Sequence, residues 1–93
     1  MRIRTDQVTW QEIDGELVIL DLARSTYLTT NATGAFLTKL LVHETSEDDL
    51  AAALAAKYDL AVDGARADVR TFAAELDRLG LLVTAAATDA AAD

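Results

Sequence analysis

His43 is the only histidine, Ser25 and Ser46 are the only serines, and cysteine is absent. A serine–histidine pair would have to join His43 to Ser25, because Ser46 is accounted for as a helix cap, and nothing in the sequence brings the two together. One imidazole cannot build a histidine-based metal site, and without cysteine there is neither a thiolate ligand nor a thiol nucleophile. His43 lies in the polar stretch His43-Glu44-Thr45 and reads as a solvated residue. The acidic cluster Glu44, Glu47, Asp48 and Asp49 lacks the alternating oxygen ligands and central glycine of a calcium loop. Its last three members instead occupy the first turn of a predicted helix, where the dipole favours anions. The glycines, at 15, 34, 64 and 80, are too dispersed for a phosphate loop. A serine at a helix start with the neighbours of a carrier-protein arm is missing as well. The expectation is no enzyme, no cofactor and no metal.

What remains is binding, and the stretch best suited to it is Thr26-Tyr27-Leu28-Thr29-Thr30 running straight into Asn31-Ala32-Thr33-Gly34-Ala35-Phe36. Threonine and tyrosine favour a pleated, half-buried surface. Asn31 reads as an N-cap whose side-chain oxygen satisfies an orphan amide of the following helix. A strand that ends this abruptly is expected to be the last of a small sheet, with one backbone edge open to an added peptide strand.

The elements that position this edge follow from pattern. Val8–Ile13 and Glu16–Asp21 flank Asp14-Gly15, a strong two-residue hairpin signal. Ile13 then pairs with Glu16 and Trp10 with Ile19, so Trp10 covers one face of the sheet. The second strand is apolar almost continuously, as a central strand covered on both faces is. After the turn Leu22-Ala23-Arg24-Ser25, Thr26–Thr30 returns as the third strand. From Ala32 to about Val42 the period becomes helical; Gly34, near the first turn, is read as close packing of helix on sheet. Ser46 caps a second helix with Leu50, Leu54 and Tyr58 as its buried stripe. Asp63 or Gly64 opens a third, on which Ala65, Val69, Phe72, Leu76 and Leu79 form the sharpest apolar stripe of the chain. Gly80 stands where a left-handed C-cap belongs, and Leu81 and Leu82 fold back on the last turn. Strands first and helices after predict an α+β domain of winged helix-turn-helix type, a three-stranded antiparallel sheet followed by three helices. The domain is expected over residues 1–84, with a flexible Ala/Asp tail over 85–93.

Sixteen acidic residues against eight basic ones give a net charge of −8. Such a surface repels phosphate backbones and attracts basic partners. The third helix interleaves Arg66, Arg70 and Arg78 with Asp68, Glu75 and Asp77, which is not the outward face of a DNA-reading helix. The start Met1–Asp6 lacks the apolar core of a signal peptide, and no run approaches the ~20 apolar residues of a membrane span. A soluble, cytoplasmic protein is the expectation, with neither nucleic acid nor membrane as partner.

At Tyr27-Leu28-Thr29-Thr30-Asn31-Ala32-Thr33-Gly34-Ala35-Phe36 the chain resembles the PqqD-like family, the RiPP recognition elements (RiPPs being ribosomally synthesised and post-translationally modified peptides). The family pattern is a tyrosine-containing strand, an Asn-x-x-Gly-Ala helix start and a helix ending in Leu-x-x-x-Gly-Leu. Asp68-Val69, Phe72, Leu76 and Leu79-Gly80-Leu81 match its last element, and the Asp14-Gly15 hairpin and the Leu50, Leu54, Tyr58 helix also fit. The likeness runs over roughly residues 8–83. Departures are His43-Glu44-Thr45, where relatives often carry glycine, and a helix start one or two residues further from Tyr27.

The resemblance implies a non-catalytic module that binds the leader segment of a precursor peptide and delivers it to processing enzymes. It is most similar to the discrete recognition proteins of lasso-peptide pathways, whose partners are a leader peptidase and a macrocyclising synthetase. A leader with basic and large apolar residues would add as a strand antiparallel to Thr26, Tyr27, Leu28, Thr29 and Thr30, in a groove closed by the third helix. Tyr27, Leu28, Val69, Phe72, Ala73 and Leu76 are its expected apolar lining, with Tyr27 rather than Leu28 showing a face to it. Asp68 and Glu75 form one flank and Arg66 and Arg70 the other. A proline at Leu28 is expected to disturb the edge. The alternative is a winged-helix regulatory or interaction module that docks a protein helix or DNA.

Overall fold

The computed structural model describes residues 1–83. They run in the order β1 (Arg2–Ile3), β2 (Val8–Ile13), β3 (Glu16–Asp21), β4 (Thr26–Thr30), α1 (Ala32–Leu40), α2 (Glu47–Tyr58), α3 (Val62–Arg78) and β5 (Leu82–Val83). The tail expected over 85–93 lies outside the described residues. No helix among those described is long and apolar enough to cross a membrane.

β2 and β3 turn on Asp14 (φ 53°) and Gly15 (φ 83°), both left-handed as a type I′ turn requires. Ile13 pairs with Glu16 and Trp10 with Ile19. β4 pairs antiparallel to the other side of β3, so the sheet order is β2-β3-β4 and β4 is an edge. Along β3, Leu17, Ile19 and Asp21 are buried while Val18 and Leu20 are only half-buried. The expectation of a strand covered on both faces is therefore corrected: one face is sealed by the core, and the other is partly open.

That core joins Leu17 and Ile19 to Leu37 and Leu41, to Leu50 and Leu54 of α2, and to Val69 and Leu76 of α3. Local chemistry sets most helix ends. Asn31 Oδ1 accepts from the Gly34 amide and Ser46 Oγ from the Asp49 amide, each at 3.0 Å. After α3 the Leu81 amide donates to the Leu76 carbonyl at 2.8 Å and the Gly80 amide to Asp77 at 3.0 Å, with Gly80 at φ 73°. These are the paired bonds of a Schellman motif. Two expectations shift. α3 begins at Val62 behind Ala61, which offers no side-chain cap, so Asp63 serves the first turn as a charge on the dipole rather than as the cap. Tyr58, at the end of α2, is 37% exposed and leaves the buried stripe.

A second sheet was not foreseen. β1 pairs antiparallel with β5, Arg2 with Val83 and Ile3 with Leu82, and Ile3 is fully buried. Arg4, just beyond β1, ties this pair to the main sheet. Its Nη2 donates to Asp21 Oδ2 at 2.5 Å and its Nε to the Gly80 carbonyl at 3.1 Å.

Candidate functional site: a groove between the free strand edge and the third helix

Parity along the sheet decides which backbone groups of β4 are available. Residues flanking a two-residue turn form a hydrogen-bonded pair, so the backbone groups of Glu16, Val18 and Leu20 point to β2. The Leu22 amide continues this set by donating to the Gln7 carbonyl at 2.8 Å. Leu17, Ile19 and Asp21 therefore turn theirs to β4, where they face Thr30, Leu28 and Thr26. The amides and carbonyls of Tyr27 and Thr29 are left directed at the open edge.

Beside that edge runs a groove of about 470 Å³. Leu28, Thr29 and Thr30 form its strand wall, and Asn31, Thr33, Gly34 and Leu37 of the cap and α1 close one end. Asp68, Thr71, Phe72 and Glu75 of α3 make the far wall. At Gly34 helix and strand approach closely. A Cβ there would lie 2.7 Å from Thr30 Cβ and 3.1 Å from Phe72 Cε1. Gly34→Ala, otherwise favourable for a helix by roughly 1 kcal/mol, is therefore expected to destabilise the domain by about 1–2 kcal/mol through overpacking. Urea unfolding checks the sign; a more stable variant would show that the groove end yields freely.

Of the residues expected to bind peptide, Leu28, Thr29, Thr30, Asp68, Phe72 and Glu75 line this groove. Thr26, Tyr27, Val69, Ala73 and Leu76 do not. Val69 and Leu76 are 1% and 0% exposed and belong to the core. Tyr27 stands directly across from Leu20, on the partly open face, and is 70% exposed. The expected order is reversed there: Leu28 shows its side chain to the groove, and Tyr27 contributes only its backbone to the edge. Asn31, Thr33, Gly34, Leu37 and Thr71 were not expected in the lining; Gly34, an unfavourable residue in a helix's first turn, is the signal that pointed there.

The charges are also rearranged. Arg66 Nη1 binds Asp48 and reaches Glu47 Oε2 at 3.5 Å, and Arg70 Nε reaches the same oxygen at 3.1 Å, so both arginines staple α3 to α2. The hydrogen bond from Arg66, reinforced by its charge, holds the Asp48 carboxyl below the usual range. Arg78 holds Glu75 in a two-pronged pair at 2.7 and 3.2 Å, and that hydrogen bonding lowers the Glu75 carboxyl too. Glu75 thus stays ionised at the groove, and Asp68 has no ion pair among the described residues. No arginine of α3 is left free to meet a phosphate backbone, and no group of acidic or imidazole side chains among the described residues is arranged to hold a metal ion.

The profile of the PqqD family, described as coenzyme PQQ synthesis protein D, matches residues 16–82, from the start of β3 into β5. The chain belongs to the PqqD family. Two solved structures share its fold. One is TbiB1 in complex with the TbiA(beta) leader peptide, 30% identical, with a TM-score of 0.78 over 88% of this chain and 94% of that one. The other is a lasso peptide synthetase B1 complexed with the leader peptide, 24% identical, with a TM-score of 0.75 over 88% and 95% of the two chains. No curated protein matches the sequence. This PqqD-like domain is a RiPP recognition element in fold, and the winged-helix description is compatible with its three helices and three-stranded sheet.

Proposed function

We propose that this PqqD-like domain binds the leader segment of a ribosomally synthesised precursor peptide, of lasso type, and delivers it unaltered to a leader peptidase and a macrocyclising synthetase. The observation that carries the reading is an unpaired strand edge, offering the backbone of Tyr27 and Thr29, that opens directly onto the groove bounded by Phe72. The leader complex of the 30%-identical TbiB1 supports it.

In mechanism the leader adds to β4 as an antiparallel strand. Main-chain hydrogen bonds supply affinity that tolerates sequence, and alternate side chains enter the groove and supply selectivity. Ordering a flexible segment costs roughly 2–5 kcal/mol. Binding therefore depends on a large apolar leader side chain against Leu28 and Phe72, and on a basic one answering Asp68 and Glu75. The domain itself carries out no chemistry on the leader; it holds the leader's backbone straight and in register for an enzyme that does.

The test is titration of the labelled leader segment of a lasso-type precursor peptide, followed by amide and carbonyl shifts. Saturable binding with the largest shifts at Tyr27 and Thr29 is expected. Shifts confined to helix faces would favour docking of a helix instead. Because the net charge is −8, association with a basic leader is expected to slow severalfold between about 0.05 and 0.5 M salt, with dissociation little changed. Stopped-flow rates that ignore salt would remove the electrostatic part of the mechanism.

A further inference from the structure

Three polar side chains lie in the interior: Asp21, Thr38 and Thr30. Asp21 is held by Arg4 and by the amides of Ala23 and Arg24, and the Thr38 hydroxyl donates to the Gly34 carbonyl at 2.8 Å. Thr30 is the exception. It is 6% exposed, and its Oγ1 is the one buried side-chain polar atom among the described residues with no hydrogen-bond partner. Buried hydroxyls are nearly always satisfied, so an orphan calls for a reason. This one stands in the wall of the groove, where the space a Cβ on Gly34 would fill lies 3.2 Å from it.

The ladder supplies the second observation. Thr30 turns its backbone groups to Leu17 of β3, so against a strand added on the open edge it forms a non-hydrogen-bonded pair. Such pairs bring Cα atoms to about 4.5 Å and place both side chains on one face, close enough for threonine–threonine or threonine–serine hydrogen bonds. The face in question is that of Leu28 and the groove. A turn of about 120° about χ1 carries the Thr30 hydroxyl into the neighbouring staggered position, bringing the oxygen to a partner when one arrives.

We propose that Thr30 is a specificity-determining residue of the groove, its hydroxyl hydrogen-bonding a short uncharged polar side chain (serine, threonine or asparagine) on the leader residue directly opposite. This rests on the strand-addition reading and assigns one position of the leader. A carboxylate there is disfavoured by Asp68 and Glu75 in the same groove. A lysine or arginine is too long for so close a pair and finds its countercharge further across, on α3.

The experiment compares wild type with Thr30→Val, which keeps the shape and removes the hydroxyl, and with Thr30→Ser, which keeps the hydroxyl. Thermal unfolding of the free proteins should show T30V as stable as wild type or more so, because nothing is lost but an orphan. Leader titration should show T30V roughly three- to tenfold weaker, with T30S near wild type. An alanine scan of the leader should reveal one Ser, Thr or Asn position that matters to wild type and not to T30V. Unchanged leader affinity in T30V, a loss of stability in the free variant, or a scan without such a position would each overturn the assignment. Wild type failing to bind leader at all would instead overturn the leader-binding reading itself.

Discussion

Thr29→Pro lowers leader affinity at least about tenfold while the domain stays folded, and Leu28→Pro unfolds the sheet: these are the results expected of two prolines one residue apart. The difference comes from ladder parity. The Thr29 amide points to the open edge, where proline is tolerated in a folded sheet. Replacing it removes a donor to the leader and puts a ring methylene where the added strand must lie. One lost hydrogen bond is worth about 0.5–1.5 kcal/mol, and steric exclusion adds to it. The Leu28 amide faces Ile19 of β3. Proline there orphans the Ile19 carbonyl in the middle of the sheet, at about 1–3 kcal/mol before any distortion is counted. A binding test on Leu28→Pro would thus confuse loss of the edge with loss of the fold. Circular dichroism and leader titration on both variants separate the two; a folded Thr29→Pro that binds as wild type does would rule out strand addition.

Asp21→Ala is expected to destabilise the domain by about 3 kcal/mol, a large part of the 5–15 kcal/mol that holds a domain together. Asp21 is 1% exposed at its side chain and anchors three donors: Arg4 Nη2 at 2.5 Å and the amides of Ala23 and Arg24 at 3.1 and 3.2 Å. The two amides shape the turn from β3 to β4. Arg4 carries the link onward to the Gly80 carbonyl behind α3. Removing the carboxylate leaves the Arg4 side chain, three-quarters buried, without its countercharge and frees the turn that delivers β4 to the groove. The melting temperature should fall by roughly 10–20 °C. Asp21→Asn, which can still accept from both amides, should lose less. As comparator, Glu12→Gln breaks the exposed Lys39–Glu12 pair, whose side chains are 56% and 46% exposed, and should change stability by no more than about 0.5 kcal/mol. Equal melting temperatures for Asp21→Ala and wild type would show that the Arg4 link does not hold the two sheets together.

The geometry of β4 divides between what a short stretch of chain dictates and what it cannot. The Asp14-Gly15 turn, the Asn31 and Ser46 caps and the Gly80 stop were all legible in the sequence, because each is an interaction among residues within a few positions of one another. From the turn followed the register of β2 on β3, and from the abrupt passage of Thr30 into a helix followed the free edge.

Local pattern does not decide which distant segments become partners. Arg2–Ile3 and Leu82–Val83 are too short to show a strand's alternation, and only their meeting across the chain makes them a sheet. On α3 the periodicity located the apolar arc correctly, yet nothing local sets the rotation of a helix about its own axis. Packing against α2 and the core consumed Val69 and Leu76, and turned the border of the arc (Asp68, Phe72 and Glu75) to the groove. Arg66 and Arg70, read as one flank, were drawn away by Glu47 and Asp48, acids that local logic had assigned to a helix dipole. Sequence by itself determined the hairpin, the three helices with most of their ends, and the existence of an open strand. Tertiary structure alone decided which side of that strand is groove and which is surface, because a side chain's face depends on where the rest of the chain finds room to bury itself.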